Sequence, residues 1–169
     1  MLEIACGSGQ HAVWFAAALP GVIWLPTDRD PLHVASTDAW CAHTGVANVL
    51  PARLLDVRRD PWPDGPFDVV YCANLVHIAP WEVAEALLAG ARAVVPTEGQ
   101  LVLYGPYRLG GAHTAPSNAA FDASLRERDP AWGVRDAEAI VAAASGFVLE
   151  RRVEMPAENQ MLILRRVAE

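Results

Sequence analysis

The first eleven residues, Met1 to His11, constrain the fold of this chain more than any other segment. A short apolar run that contains one acid, Glu3, is broken by a Gly-x-Gly turn at Gly7 and Gly9, and a helical segment follows. A strand, a glycine turn and a helix in this order are typical of an α/β fold that binds a nucleotide, because backbone N–H groups and the helix N-terminus face the ligand. The sequence therefore predicts such a fold and a candidate cofactor site at its start.

Length, composition and charge limit the class of protein. The 169 residues, of which 53% are hydrophobic, suffice for one core, so we expect a single domain over residues 1–169. No apolar run is long enough to span a membrane, and the start has no signal-peptide pattern. A net charge of −7 disfavours nucleic acid as a partner. The three cysteines form no C-x-x-C pair, which predicts free thiols, a cytoplasmic location and no metal site.

The absence of lysine excludes several enzyme classes. All 13 basic residues are arginine. A P-loop, a pyridoxal-phosphate Schiff base and a Tyr-x-x-x-Lys dehydrogenase site all need a lysine. Each of these sites is therefore excluded.

Strand-like and helix-like segments alternate along the chain and end in a hairpin, which predicts a mostly parallel sheet closed by one antiparallel strand. Proline and glycine mark most of the boundaries, and Asp30 followed by Pro31 predicts a helix start. The predicted strands are Leu2–Ala5, Val22–Leu25, Val49–Leu55, Phe67–Cys72 and Leu101–Tyr104, with the hairpin Phe147–Met155 and Gln160–Val167. The predicted helices are Ala12–Leu19, Pro31–Thr44, Trp81–Val95, Asn118–Arg128 and Ala137–Ser145.

Acids follow or lie in three of the predicted strands. Gly7 to Ala12 fits the G-x-G-x-x-G/A dinucleotide fingerprint, and Asp28 lies about 20 residues farther on, so NAD is one candidate ligand. However, Glu3 places a carboxylate in strand one, where it suits a ligand that carries an ammonium group. Strand three also ends in an acid, Asp56, and the closing hairpin is not the ending of a standard dinucleotide half.

This pattern resembles the class I S-adenosylmethionine-dependent methyltransferases. The run from Glu3 to Gly9 is similar to their first motif, Glu/Asp-x-Gly-x-Gly-x-Gly, with Ala5 in place of the first glycine. The resemblance implies a doubly wound, three-layer α/β/α fold with a seven-stranded sheet of order 3-2-1-4-5-7-6 and an antiparallel last strand. It implies S-adenosylmethionine as cofactor and S-adenosylhomocysteine as product. The implied cofactor-binding residues are Glu3, Ala5, Cys6, Gly7, Gly9, Asp28, Asp56, Val57 and Asn74.

The resemblance also implies individual roles. The glycine loop lies under the methionine part, and Glu3 orders the loop or, through water, the ammonium group. Asp28 binds the ribose hydroxyls. Asp56 accepts from the adenine amino group while Val57 and Leu55 contact the ring, and Asn74 faces the sulfonium and its methyl group.

Four later segments are similar to the methyltransferase-like 26 family, whose substrate is not established. They run from Asn74 to Trp81, from Tyr104 to Tyr107, from Ser117 to Asp122 and from Asp129 to Asp136. The resemblance covers essentially the whole chain. Members of that family carry a further segment before strand one, so strand one is expected to lack its flanking helix.

The expected activity is methyl transfer to a small-molecule or peptide nucleophile by a monomer or homodimer, with His77 and Tyr107 as candidate catalytic groups. Residues 105–136 form a long connection, which predicts a lid over the substrate. Trp14 and Trp40 are expected in the helix core, and Trp81 and Trp132 beside the pocket. Two alternatives remain: an NAD(P)-linked oxidoreductase, and a degenerate cofactor-binding module that acts through a partner.

Overall fold

The structure, a computed structural model, describes residues 1–168. It contains seven strands and five α-helices, and a 3-10 turn, Pro156–Glu158, joins the last two strands. The strands are β1 (Leu2–Ile4), β2 (Leu25–Asp28), β3 (Arg53–Leu54), β4 (Val69–Ala73), β5 (Gln100–Gly105), β6 (Phe147–Met155) and β7 (Asn159–Arg166). The helices are α1 (Gln10–Ala18), α2 (Pro31–Thr44), α3 (Trp81–Val94), α4 (Pro116–Arg128) and α5 (Ala137–Ala143).

All seven strands belong to one sheet with the order β3-β2-β1-β4-β5-β7-β6. The pairs from β3 to β5 are parallel, whereas β7 is antiparallel to both of its neighbours, β5 and β6. The predicted strand order and the antiparallel last strand are therefore confirmed. The carboxyl ends of β1, β2, β3 and β4 meet at one edge of the sheet, where ligands bind in open α/β folds.

The two faces of the sheet pack against different helices, which makes three layers. Alternate residues of a strand point to opposite faces, so Leu2 and Ile4 join the core with α3 and α5. Tyr71 joins a smaller aromatic and alanine cluster with α1. Because Glu3 lies between Leu2 and Ile4 in β1, its side chain points to this second face.

Strands β2 and β3 differ from the prediction. We expected β2 to end at Leu25 because Pro26 follows, yet the strand continues to Asp28. Pairing between β2 and β3 lapses between the Trp24–Val49 bridge and the next pair, Thr27–Arg53. Pro26 falls in this gap, so its missing N–H interrupts no ladder there. The same gap reduces β3 to two residues.

The sequence predicted the start of α2 correctly, but it did not predict which side chains of α1 and α2 are buried. Asp30 caps α2 by accepting a hydrogen bond from Leu32 N (2.8 Å), as predicted. The prediction that Trp14 and Trp40 are core residues is wrong, because 74% and 46% of their surfaces are exposed. Small residues occupy the buried positions of α1 and α2 instead, so these two tryptophan side chains face solvent. Within residues 1–168, no helix is long and apolar enough to cross a membrane.

Candidate cofactor site

A pocket of about 230 Å³ opens at the carboxyl edge of the sheet. The ends of β1, β2 and β4, the loop after β3 and the segment before α3 form its walls. The polar lining residues are Asp28, Arg29, His33, Asp56 and Arg58, and the apolar ones include Ala5, Leu55, Val57, Leu75, Ile78, Pro80 and Trp132. The pocket therefore combines a charged half with an apolar half, as a nucleoside requires.

The loop after β1 has three residues in the left-handed region: Ala5 (φ 57°), Gly7 (φ 58°) and Gly9 (φ 86°). A Cβ at Gly9 would lie 2.6 Å from Thr37 Cα in α2, so only glycine permits this helix contact. A Cβ at Gly7 would meet nothing within 4 Å, and Gly7 lines the pocket. Ala5 adopts a conformation that favours glycine, so it carries backbone strain.

Cys6 lies in this loop as a structural thiol. Its Sγ is 3.4 Å from Thr37 Oγ1, and burial raises the pKa of the thiol to about 12. Because the thiolate is the nucleophilic form, Cys6 is unreactive at neutral pH.

Asp28 joins the glycine loop to the start of α2. Its Oδ2 accepts a hydrogen bond from Gly7 N (2.9 Å), and its Oδ1 accepts one from Asp30 N (2.9 Å). His33 Nδ1 lies 3.2 Å from Oδ1. Asp28 is buried and also lines the pocket. Its carboxylate can therefore accept a hydrogen bond from a ligand while it holds the glycine loop.

Glu3 does not line the pocket. It is 1% exposed, and its Oε2 accepts a hydrogen bond from Trp24 Nε1 (2.7 Å). Burial raises the pKa of this carboxyl to about 7, although the Trp24 bond lowers it. Glu3 thus lies behind the strand that supports the loop, on the α1 side of the sheet.

The loop after β3 contributes an acid between two apolar residues. Leu55, Asp56 and Val57, which are predicted to contact an adenine, all line the pocket. Asp56 Oδ1 accepts from Arg58 N (3.0 Å), and the Asp56 amide donates to Asp60 Oδ2 (2.7 Å). These bonds fix the turn and hold the acid at the pocket wall.

Asn74 follows β4 in the left-handed region, with φ 61°. Its N–H donates to Tyr104 O (2.8 Å), and its carbonyl accepts from His77 N (2.9 Å). Ala73 and Leu75 line the pocket on either side of it. Asn74 is half-buried between these two residues and is not itself part of the pocket lining.

The expectation that His77 and Tyr107 face a substrate is corrected by their burial, since both are 0% exposed and neither lines the pocket. His77 Nδ1 accepts a hydrogen bond from Arg135 N (3.1 Å). The His77 and Tyr107 rings pack edge to face, with their centroids 4.7 Å apart. Burial lowers the pKa of His77 to about 3, so the imidazole is neutral. The turn after β4 directs His77 inward, a direction that the sequence does not encode as a periodic pattern.

Arg135 fixes one wall of the pocket. It donates to the carbonyls of Val76 (2.9 Å), Ala79 (2.8 Å) and Ala131 (2.8 Å). Its guanidinium also lies 5.8 Å from the centre of the Trp81 ring. These contacts connect the turn after β4 to the end of the segment 105–136.

Sequence reasoning missed some lining residues and found others. Trp132 lines the pocket as expected, whereas Trp81 does not and donates its indole N–H to Glu85. His33 was given no role, yet it lies on the first turn of α2 against Asp28. The only sequence feature that could have indicated this contact is the spacing of five residues between Asp28 and His33.

Solved structures of methyltransferases have the same fold. The S-adenosylmethionine-dependent methyltransferase SibL matches with a TM-score of 0.84 and 22% identity, over 99% of this chain and 50% of SibL. An O-methyltransferase family 2 protein from Planctomyces limnophilus, in complex with apigenin, matches with a TM-score of 0.82 and 21% identity, over 98% of this chain and 50% of its own. CalO1, a calicheamicin-biosynthesis methyltransferase with S-adenosylhomocysteine bound, matches with a TM-score of 0.79 and 18% identity, over 98% and 49%.

The chain thus spans about half the length of these three structures. At such identities the likeness shows the fold, which is the Rossmann-like fold of class I methyltransferases. A family model described as a protein of unknown function, DUF938, matches residues 1–166. The chain therefore belongs to the DUF938 family.

Proposed function

We propose that this chain transfers a methyl group from S-adenosylmethionine to a small-molecule or peptide nucleophile. The observation that carries the proposal is the position of Asp28, which accepts from Gly7 N and lines the same pocket as Asp56. An acid at the end of β2 suits ribose hydroxyls. An acid with apolar neighbours at the end of β3 suits the amino group and the ring of adenine.

The shape and chemistry of the pocket fit this cofactor. Gly7 leaves open space on the side where a Cβ would stand, so the backbone of the loop can approach a ligand closely. Leu55 and Val57 offer apolar contact on either side of Asp56. We therefore retain the nine predicted binding residues. Ala5, Gly7, Asp28, Asp56 and Val57 line the pocket and would contact the cofactor. The Asn74 side chain would face it, and the other three support the loop.

When bound, S-adenosylmethionine supplies a methyl group that is already activated by its sulfonium charge. The task of the protein is then to hold the cofactor, orient the acceptor and exclude water. His77 and Tyr107 are too deeply buried to take a proton from an acceptor. We assign both to support of the turn after β4 rather than to general base catalysis.

The acceptor belongs to the apolar half of the pocket, near Leu75, Ile78 and Trp132. The complex of the Planctomyces protein with apigenin supports a small molecule as the acceptor class. The relation to the methyltransferase-like 26 family, a cytoplasmic location and a monomeric or homodimeric state are further parts of this proposal.

Calorimetric titration with S-adenosylhomocysteine, with NAD as the control ligand, tests the cofactor class. We expect micromolar binding of S-adenosylhomocysteine and no heat with NAD. Binding of NAD alone would transfer the chain to the oxidoreductases. Binding of neither ligand would contradict the proposal.

A further inference from the structure

A buried polar cluster lies at the carboxyl ends of β4 and β5, beside the proposed site. We define it by His77, Asn74, Gln160 and the glycine between them, Gly105. A Cβ at Gly105 would overlap His77 Nε2 and would lie 3.3 Å from Asn74 Oδ1. The absence of a side chain at Gly105 therefore creates the space into which His77 Nε2 points.

Gln160 lies beside Gly105 in the neighbouring strand β7. It pairs directly with Gly105 across the β5–β7 ladder, so the two residues present their side-chain positions on the same face of the sheet. Its Oε1 is buried and has no hydrogen-bond partner among residues 1–168. An acceptor that lacks a donor thus lies on the face of the sheet that His77 contacts at Gly105.

The tautomer of His77 follows from its other nitrogen. Nδ1 accepts from Arg135 N, so in the neutral ring Nε2 carries the proton. Within the described residues this N–H has no hydrogen-bond partner, although the side chain is fully buried. Buried donors of this kind are almost always used. The candidate acceptors are Asn74 Oδ1, which borders the Gly105 space, the unpartnered hydroxyl of Tyr107, whose ring contacts His77, and Gln160 Oε1 across the ladder.

We propose that His77 is a positioning residue for Asn74: a rotation of the Asn74 side chain brings its Oδ1 onto the Nε2–H that points into the space left by Gly105, and this hydrogen bond turns the Asn74 NH₂ group toward the pocket. The positioning role has one consequence that rests on the proposed function, namely that the Asn74 NH₂ group faces the cofactor. The positioning itself needs only the cluster. Asn74 is suited to such control because its backbone is already fixed at both N–H and C=O.

Two substitutions of His77 separate positioning from packing. In His77→Asn the amide can still accept from Arg135 N, but it does not reach the Gly105 space. In His77→Gln the longer side chain brings an N–H close to the position of Nε2. We expect both variants to lose similar stability, while His77→Asn weakens S-adenosylhomocysteine binding at least tenfold and His77→Gln stays within threefold of the wild type. Equal weakening in both would overturn the proposal.

A double-mutant cycle identifies the partner. Gly105→Ala should displace the imidazole and weaken S-adenosylhomocysteine binding about as much as Asn74→Ala does, and the double variant should bind no more weakly than Asn74→Ala alone. Gly21→Ala is the matched control, because a Cβ there meets nothing within 4 Å. Additive losses, or coupling of Gly105→Ala to Gln160→Leu instead of Asn74→Ala, would overturn the assignment.

A spectroscopic measurement keeps this inference separate from the cofactor proposal. In ¹⁵N-labelled protein without ligand, the Nε2–H tautomer of His77 and the side-chain amide of Asn74 are observed directly. We expect the Asn74 amide signals to shift in His77→Asn and to remain near the wild-type position in His77→Gln. If the wild type binds no S-adenosylhomocysteine, the proposed function fails. Unchanged Asn74 signals in His77→Asn would refute the positioning role by themselves.

Discussion

Ala5 shows how one side chain can strain a binding loop. The motif that this loop resembles has glycine at this position, and in this chain Ala5 takes a left-handed conformation with φ 57°. A non-glycine residue there costs on the order of 1–2 kcal/mol. The loop therefore holds its backbone shape at Ala5 at the expense of stability.

Replacement of Ala5 by glycine should raise the free energy of unfolding by about 1 kcal/mol, because the relief of strain exceeds the added entropy of the unfolded chain. Urea denaturation measures the change. Ala17→Gly, at an exposed position of α1, is the matched control and should lower stability by about 0.5–1 kcal/mol. A loss of stability in both variants would contradict the strain.

Asp28 tests the cofactor site at the level of a single carboxylate. Asp28→Asn keeps the size of the side chain but removes the charge that would accept from ribose hydroxyls, so we expect at least tenfold weaker binding of S-adenosylhomocysteine. Asp38→Asn is the control, because Asp38 accepts from Ala52 N at a distance from the pocket. Equal affinities of Asp28→Asn and the wild type would remove Asp28 from the site.

The titration of Glu3 predicts a pH dependence of stability. The unfolded chain releases this proton near pH 4.5, whereas the folded chain holds it until about 7, because burial raises the pKa. The folded state thus binds more protons across this window, and the contribution of Glu3 to stability is lost as the pH rises from 4.5 to 7. His77 acts in the opposite direction: its pKa falls from 6.5 to about 3, so its contribution is lost as the pH falls through that range.

Glu3→Gln isolates the first of these effects, since glutamine can still accept from Trp24 but does not ionise. We expect the free energy of unfolding of the variant, relative to the wild type, to increase from pH 5 to pH 7. Denaturant titrations at several pH values measure it, with Glu127→Gln on the exposed surface of α4 as the control. A difference that does not change with pH would show that Glu3 titrates normally.

At the scale of elements, the sequence predicted the arrangement of strands better than their ends. The alternation of strand and helix, with a hairpin after Phe147, predicted a mostly parallel sheet closed by an antiparallel strand, and the strand order followed from the resemblance to class I methyltransferases. It did not suffice for β2, because the effect of Pro26 depends on whether the neighbouring strand pairs there. The acids at the strand ends predicted where the pocket lies, but the inward direction of His77 depends on Gly105 and Arg135, which are distant in sequence.

Arg135 acts at this scale, because it joins the turn after β4 to the end of segment 105–136. Loss of three hydrogen bonds from this charged, half-buried side chain should lower the free energy of unfolding by about 2 kcal/mol or more. In Arg135→Ala we therefore expect faster amide hydrogen exchange in residues 74–80 and 131–135. Arg151→Ala, on the exposed part of β6, is the control. Unchanged exchange in both segments would mean that Arg135 does not connect them.

At the scale of the whole molecule, a ligand in the pocket should reduce the motion of segment 105–136, because Trp132 from this segment lines the pocket and Arg135 anchors its end. The chain offers a direct measurement of this coupling. It contains no lysine, so trypsin cleaves only after its 13 arginines, of which Arg126 and Arg128 lie on exposed positions of α4. Exposed Arg151 and Arg152 in β6 serve as internal controls in the same digest.

With S-adenosylhomocysteine at a hundred times its Kd, the free energy of unfolding of the whole protein rises by about 2.7 kcal/mol, which slows cleavage at every site that needs global unfolding. A lid predicts more than this: cleavage after Arg126 and Arg128 slows by a larger factor than cleavage after Arg151 and Arg152. Equal slowing at all four sites would show that the ligand stabilises the fold as a whole and that segment 105–136 is a fixed wall.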